Sequence, residues 1–388
     1  MSENRAADVV VIGGGTIGLS IAWRASQRGL RVLVLERGRV CGGTSRLAAG
    51  MLAPISEVAP GEEPLLELGL RSAGLYPSFV AELVAAAGVA GVGYTPSGTL
   101  LVARDDDEAE ALERELALRR SFDLRVTRLR PSQARALEPS LAPALRLALD
   151  VPDDHAVDPR ALVPALAAAT TAAGGEVREG CRVAALESTG GRVTGVALDD
   201  GSVIGSPRVV VAAGVWCDEL DGVPDGLRVP VRPIKGQIMR LHDPAGPGLL
   251  GRVIRMGPSY VCPRGDGRYV IGGTYEERGF DLTVTAGAGF DLLRDASELL
   301  PGVSELVLDE FEAGLRPGTP DNLPAIGAGG ADSLDGLIWA VGHRRGGILL
   351  SPVTAELVAG ALAGEELPDW AGPFGPGRFA RAAVEAAT

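Results

Sequence analysis

Short solid apolar runs and longer stretches of helical spacing alternate along this chain. Val9–Ile12 is apolar throughout, and Arg31–Glu36 encloses a second such run, with an apolar helical pattern between them. A run of strand length without polar alternation reads as a strand buried on both faces, as in a parallel sheet. Val209–Gly214 has the same character, and so does Leu337–Val341, which is followed by a helix from Pro352 to Leu362. Leu65, Leu66, Leu68, Leu75, Phe79, Leu83 and Val84 predict a helix over 65–87. Further helices are predicted from Asp105 to Arg120, from Asp158-Pro159 to Gly174-Gly175, and over Gly289–Leu300. Each is marked by a capping acid, a proline at the first turn or a Gly/Pro stop.

Strand patterns fill the remainder. Tyr94–Ala103 reads as a strand pair about Pro96-Ser97-Gly98. Arg182–Leu186, Val193–Leu198 and Ser202–Gly205 are short strands, the last two joined at Asp199-Asp200-Gly201. Ile238–Leu241, Tyr260–Cys262, Tyr269–Ile271 and Val307–Phe311 complete the set. Parallel-sheet material thus recurs at the start, middle and end, so the domain it builds is discontinuous. The expected fold is α/β plus α+β: a Rossmann-type nucleotide-binding domain from 1–75, 150–222 and 312–388. A second domain on an antiparallel sheet takes 76–149 and 223–311. A chain of 388 residues is long enough for two such units.

Charge narrows the partners. A net charge of −13 leaves no basic stripe for nucleic acid or an anionic membrane surface. No apolar run reaches transmembrane length and no leader pattern precedes the first strand, so the expected setting is cytoplasmic. Cys41, Cys181, Cys217 and Cys262 lack metal-ligand spacing and read as buried thiols. The run Asp105-Asp106-Asp107-Glu108 reads as a solvated helix start, with a metal site as the lesser alternative; no metal is expected.

Chemistry enters at Gly13-Gly14-Gly15-Thr16-Ile17-Gly18. Gly13 permits the tight turn out of the first strand, Gly15 the approach of a pyrophosphate, and Gly18 close packing of helix on sheet. The phosphates then meet a helix N-terminus. Glu36, ending the second strand, is placed for a ribose diol. Strand, fingerprint, helix, strand and terminal acid in that order predict a bound dinucleotide.

Beyond the fingerprint, three further segments carry a resemblance: Thr44-Ser45 to Met51, Gly314-Leu315-Arg316-Pro317-Gly318-Thr319-Pro320-Asp321, and Gly342-His343-Arg344-Arg345-Gly346-Gly347-Ile348-Leu349-Leu350. With them the chain resembles the D-amino-acid-oxidase-like group of FAD-dependent amine oxidoreductases, and more closely the bacterial glycine oxidases of thiamine biosynthesis. The resemblance spans about residues 7 to 370. It implies FAD, with Gly13, Gly15, Thr16, Ile17 and Gly18 at the pyrophosphate and Glu36 and Arg37 at the ribose. Thr44, Ser45, Ala49, Gly50 and Met51 would line pyrophosphate and flavin, with Val183 on the adenine side and Gly214 closing the cradle. His343, Arg344, Arg345, Gly346, Gly347, Ile348 and Leu349 would wrap the isoalloxazine. The cysteine to which some sarcosine-oxidising relatives link their flavin has no counterpart near Arg316, so non-covalent FAD is expected.

For the substrate the resemblance implies Arg316 as the carboxylate ligand, since a planar guanidinium takes a carboxylate bidentately. Arg345 stands at the second arginine position, and the two roles could be exchanged. Tyr260 would bring a hydroxyl to the carboxylate, and Tyr275 and Met51 would line the pocket. Arg344 replaces an aromatic and Gly346 an asparagine of relatives, which changes the pocket edge. No general base is implied, because hydride passes directly to the flavin; His343 positions the cofactor. Lys235, the sole lysine, is read as structural, with an influence on oxygen reactivity as the alternative.

The implied reaction is oxidation of glycine, sarcosine or a small D-amino acid to the imine, with O2 reduced to H2O2. The imine would hydrolyse to glyoxylate and ammonia or pass to a thiazole synthase. A homo-oligomer, as a tetramer, is implied by relatives. Two other readings remain on the residues: a dehydrogenase of D-amino or imino acids that uses a quinone or carrier, and a flavin-binding sensor without turnover.

Overall fold

The computed structural model describes residues 7–329 and 334–380, so 330–333 and both extreme ends of the chain lie outside the described residues. Six strands form the first sheet in the order Ala325–Ala328, Leu337–Val341, Val209–Val211, Val9–Ile12, Val32–Leu35, Glu176–Arg178. All neighbours are parallel except the first pair. The solid apolar runs are explained by burial on both faces. Val9 and Val11 face the helices Thr16–Gln27, Glu63–Ala87, Pro159–Ala172 and Ser351–Leu362, whereas Val10 and Ile12 face a three-stranded sheet. That sheet is Val183–Thr189, Arg192–Leu198 and Val203–Gly205.

The second large sheet has eight strands, and its composition corrects the reading of the sequence in several places. In order they are Val307–Gly318, Arg232–His242, Arg268–Gly272, Ser259–Pro263, Val253–Met256, Thr99–Ala103, Leu147–Val151 and Thr127–Leu129. Neighbours are antiparallel except Val253–Met256 with Thr99–Ala103. The expected hairpin at 94–103 does not form. Only Thr99–Ala103 is a strand, while Thr95 makes a single bridge to Ala156. The helix Ala286–Leu299 covers one face through Leu292, Ala296 and Leu299. The helix Asp106–Ser121 covers another part, and Asp105 caps it by accepting from Glu108 N at 2.8 Å.

Two of the expected domain limits, 149/150 and 311/312, fall inside strands of this sheet. The second has a consequence. Val307–Gly318 lies at the edge of the eight-stranded sheet, and the chain leaving it enters the six-stranded sheet at Ala325. Its C-terminal end therefore stands at the junction of the two sheets. Among the described residues no helix is long and apolar enough to cross a membrane.

Candidate active site

The glycine fingerprint forms its turn as the sequence predicts. Gly13 has φ +111° and donates to Leu35 O at 2.9 Å. A Cβ on Gly18 would collide with the Gly13 carbonyl oxygen, so only glycine lets the helix sit this close. Glu36 accepts from Gly14 N at 2.7 Å and Gly38 N at 2.8 Å, which fixes its carboxylate at the rim of the turn. Thr16 N donates to Ser45 Oγ at 3.1 Å. The helix has no side-chain cap and no acid in its first turn, and the buried Thr16 hydroxyl has no partner. Buried hydroxyls are rarely orphaned, and an uncapped N-terminus favours an anion. These residues fit a pyrophosphate.

The neighbouring segment ties this cradle to the second sheet. Thr44 Oγ1 donates to Leu315 O at 2.7 Å, one residue before Arg316. Gly50 has φ +76°, and a Cβ there would collide with Val157 O. Ala49, with Ala156, Ile238, Val253, Cys262 and Val270, forms a small apolar cluster against which Met51 and Tyr260 pack. Arg37 lies with its guanidinium 3.7 Å from the Trp216 ring centre, just past the Gly214 turn (φ +59°). Val183 pairs with Leu198 and packs on the core beneath the first two strands.

The segment after Leu337–Val341 is fixed by the long helix Glu63–Ala87. Tyr76 Oη donates to Ile348 O and Ser72 Oγ to Leu349 O, both at 2.6 Å. Val353 N in turn donates to Ser72 Oγ at 3.3 Å. His343 is buried with Nε2 3.0 Å from Thr354 Oγ1, and burial lowers its pKa to about 3. The imidazole is therefore neutral at working pH. Arg344–Gly346 makes a single tight turn before Gly347.

Arg316 is the residue expected to hold a substrate carboxylate. It lies opposite Ile234 on the junction strand, and its side chain runs over two glycines. A Cβ on Gly236 would collide with the guanidinium, and one on Gly273 would come within 3.2 Å of Nη2. Nη1 donates to Thr274 O at 3.0 Å. The Tyr260 hydroxyl converges on the same backbone, since a Cβ on Gly272 would collide with it. Burial raises the Tyr260 phenol above its ordinary pKa, and Arg316 opposes that rise, so the phenol is a neutral donor.

Other expected residues are placed differently. Arg345 is engaged by two carboxylates, Glu57 and Glu62, each 3.4 Å away. Tyr275 is half exposed and carries the Arg344 guanidinium 5.5 Å above its ring, so it forms the outer edge. Lys235 is buried and bound by Asp281 at 2.6 Å and Glu276 at 3.8 Å, an ion-pair anchor for the loop that follows Gly273. The sequence reading missed Glu57, Glu62, Gly236, Gly273, Tyr76 and Ser72. A small cleft of about 50 Å3 brings Glu57, Glu62, His343, Arg344, Arg345 and Leu349 together.

The family profile described as DAO, FAD dependent oxidoreductase, matches residues 8–361. The chain belongs to this family. Within the DAO family, the glycine oxidase of Geobacillus kaustophilus is 34% identical over 369 residues, covering 95% of this chain and 96% of its own. The bifunctional protein ThiO/ThiG of Synechocystis is 36% identical over 96% of this chain, but the chain spans only 54% of that protein. The hydrogen cyanide synthase subunit HcnC of Pseudomonas aeruginosa is 31% identical over 97% of both chains. Among solved structures, the G. kaustophilus glycine oxidase superposes with TM-score 0.88 at 33% identity, covering 95% of this chain and 98% of its own. Iminodiacetate oxidase from Chelativorans gives 0.86 at 28% identity, covering 95% and 98%. As a DAO-family protein the chain is an FAD-dependent oxidoreductase, and its glycine cradle and orphaned Thr16 hydroxyl agree with that cofactor.

Proposed function

We propose that this chain oxidises glycine, or an amine as small as sarcosine or a small D-amino acid, to the imine. The observation that carries the reading is Arg316: a guanidinium laid over Gly236 and Gly273 beside the Tyr260 hydroxyl, at the junction strand next to the cofactor cradle. Its remaining N–H groups suit a carboxylate, with the Tyr260 hydroxyl donating to the same group. Non-covalent FAD, when bound, would supply the acceptor for the Cα hydride and the two-electron route by which O2 becomes H2O2. Arg316 and Tyr260 set which face of the substrate's Cα is presented. Neutral His343, held by Thr354, and the backbone at Ile348 and Leu349, pinned by Tyr76 and Ser72, give this segment a fixed shape. The imine formed from glycine hydrolyses to glyoxylate and ammonia. The likeness to one half of ThiO/ThiG supports a second fate, transfer to a thiazole synthase.

The test is anaerobic addition of glycine and sarcosine to purified holoenzyme, followed by readmission of air. Bleaching of the flavin absorbance, then one H2O2 and one glyoxylate per glycine, is the expected result. A flavin that neither amine bleaches, or cyanide in place of glyoxylate, overturns the reading.

A further inference from the structure

The guanidinium groups of Arg316, Arg344 and Arg345 are unequally paired. Arg316 makes no ion pair among the described residues; its hydrogen bond goes to the Thr274 carbonyl. Arg345 is clamped: Nε lies 3.4 Å from Glu57 Oε2, Nη2 lies 3.4 Å from Glu62 Oε2, and Nη2 donates to Glu57 O at 2.9 Å. Arg344 lies 3.9 Å from the other oxygen of Glu62, which also accepts from Asn322 Nδ2 at 3.3 Å.

This clamp is held from behind. Asp154, fully buried, accepts from Ile55 N at 3.1 Å and Ser56 N at 2.9 Å. Arg119, also buried, donates to Ile55 O at 3.0 Å and Ser56 O at 2.7 Å. All four backbone bonds fall immediately before Glu57, so the fold fixes the backbone that carries it. Of these three arginines, Arg316 alone has no carboxylate beside it among the described residues, and Arg264 adds a further positive charge that acts on the Tyr260 phenol. The charge on Glu57 also bears on the Tyr260 phenol, as that of Arg316 does, so it is felt where the substrate carboxylate is held.

The geometry points to Glu57 and Glu62 as specificity-determining residues. They neutralise the second arginine, so the site accepts an amine bearing one carboxylate and rejects one bearing two. A second carboxylate must either displace a glutamate from Arg345 or lie beside both, and like charges placed together in an interface cost heavily. This rests on the reading of Arg316 as the carboxylate ligand.

Sarcosine and iminodiacetate provide the test, because they share a secondary amine and one carboxylate and differ in the second. Wild-type holoenzyme is expected to favour sarcosine in kcat/KM by on the order of 100-fold. In Glu57→Gln/Glu62→Gln the ratio moves at least about tenfold toward iminodiacetate, and adding Arg345→Leu moves it back. Calorimetry with two ethers that cannot be oxidised, methoxyacetate and oxydiacetate, reads the same discrimination as binding. Should the double variant fail to fold, Glu57→Gln alone decides: a shift of several-fold supports the assignment and no shift overturns it. Wild-type protein that binds both ethers alike, or a ratio untouched by the glutamine changes, also overturns it. Failure of glycine and sarcosine to bleach the flavin removes the oxidase reading, and the ether titrations then decide the glutamate assignment by themselves.

Discussion

At the scale of single residues, the case for Arg316 is one of availability. A guanidinium carries five N–H donors in a planar fork, and here one of them is spent on the Thr274 carbonyl. Gly236 and Gly273 matter because they lack side chains: any Cβ at 236 would occupy the volume of the guanidinium. Truncating one member of a desolvated charge pair costs about 2–5 kcal/mol, so Arg316→Leu should lower kcat/KM for glycine by roughly 30-fold or more. Arg316→Lys should recover only part, since an ammonium restores charge without the fork. Steady-state kinetics with the flavin content of each variant checks this. A fall in flavin content or melting temperature with KM unchanged would make Arg316 a mere pin for its loop. Arg316 was legible in the sequence because it stands inside a recognisable motif, whereas Tyr260 lies outside all such motifs and was legible by its position in the resemblance alone. Glu57 and Glu62 were not, because an isolated glutamate acquires meaning only when the fold brings an arginine from residue 345 to it. Arg345 itself was legible as a position, though not in its partners.

At the scale of elements, polarity alone located what was buried on both faces. Val9–Ile12, Val32–Leu35, Val209–Val211 and Leu337–Val341 are solid apolar runs, and all sit inside the six-stranded sheet. The strand Arg232–His242 was legible only in its Ile238–Leu241 stretch. Its first half carries Pro233, Lys235, Gly236 and Gln237, which read as punctuation and polarity. Lys235 is buried there through Asp281 and Glu276, and Gln237 through Glu276 and Thr285, so tertiary partners override the pattern. The false hairpin at 94–103 has the converse cause. Pro96-Ser97-Gly98 is a sound turn signal in the sequence, but Thr99–Ala103 finds its partners at Leu147–Val151 and Val253–Met256, far along the chain. The first helix supplies the prediction at this scale. Gly18→Ala places a methyl group against the Gly13 carbonyl oxygen, and the helix must move off the strand to admit it. Overpacking of this kind costs about 1–3 kcal/mol, and the retreat carries the Thr16 end of the helix away from the phosphates. FAD affinity should fall by roughly tenfold or more and the apoprotein should melt earlier. Fluorescence titration of apoprotein with FAD and thermal melts check both, and a variant that binds FAD as the wild type does would refute the packing argument.

At the scale of the whole molecule, two buried ionisable groups near the junction of the sheets oppose each other. Burial lowers the pKa of His343 from 6.5 to about 3, so between those values the unfolded chain binds a proton there that the folded protein does not. Its contribution to stability is complete above pH 6.5 and falls as pH drops toward 3. Asp154 has the reverse sign. Burial raises its pKa from 3.8 to about 6 against the hydrogen bonds from Ser56 and Ile55, so the folded protein holds a proton that the unfolded chain releases. That contribution is complete below pH 3.8 and is lost as pH rises through 6. From about pH 4 to 6 each group changes stability by about 1.4 kcal/mol per pH unit, with opposite slopes, so their effects largely cancel. Single substitutions separate them. In His343→Gln, stability relative to wild type should decline with rising pH over that window, by about 3 kcal/mol from pH 4 to 6. In Asp154→Asn, stability relative to wild type should rise with pH over the same window by a similar amount. Urea midpoints at half-unit intervals, compared as differences from wild type at equal m-value, read each slope directly. Two variants whose differences from wild type stay flat across pH 4 to 6 would show that neither group titrates as its burial demands.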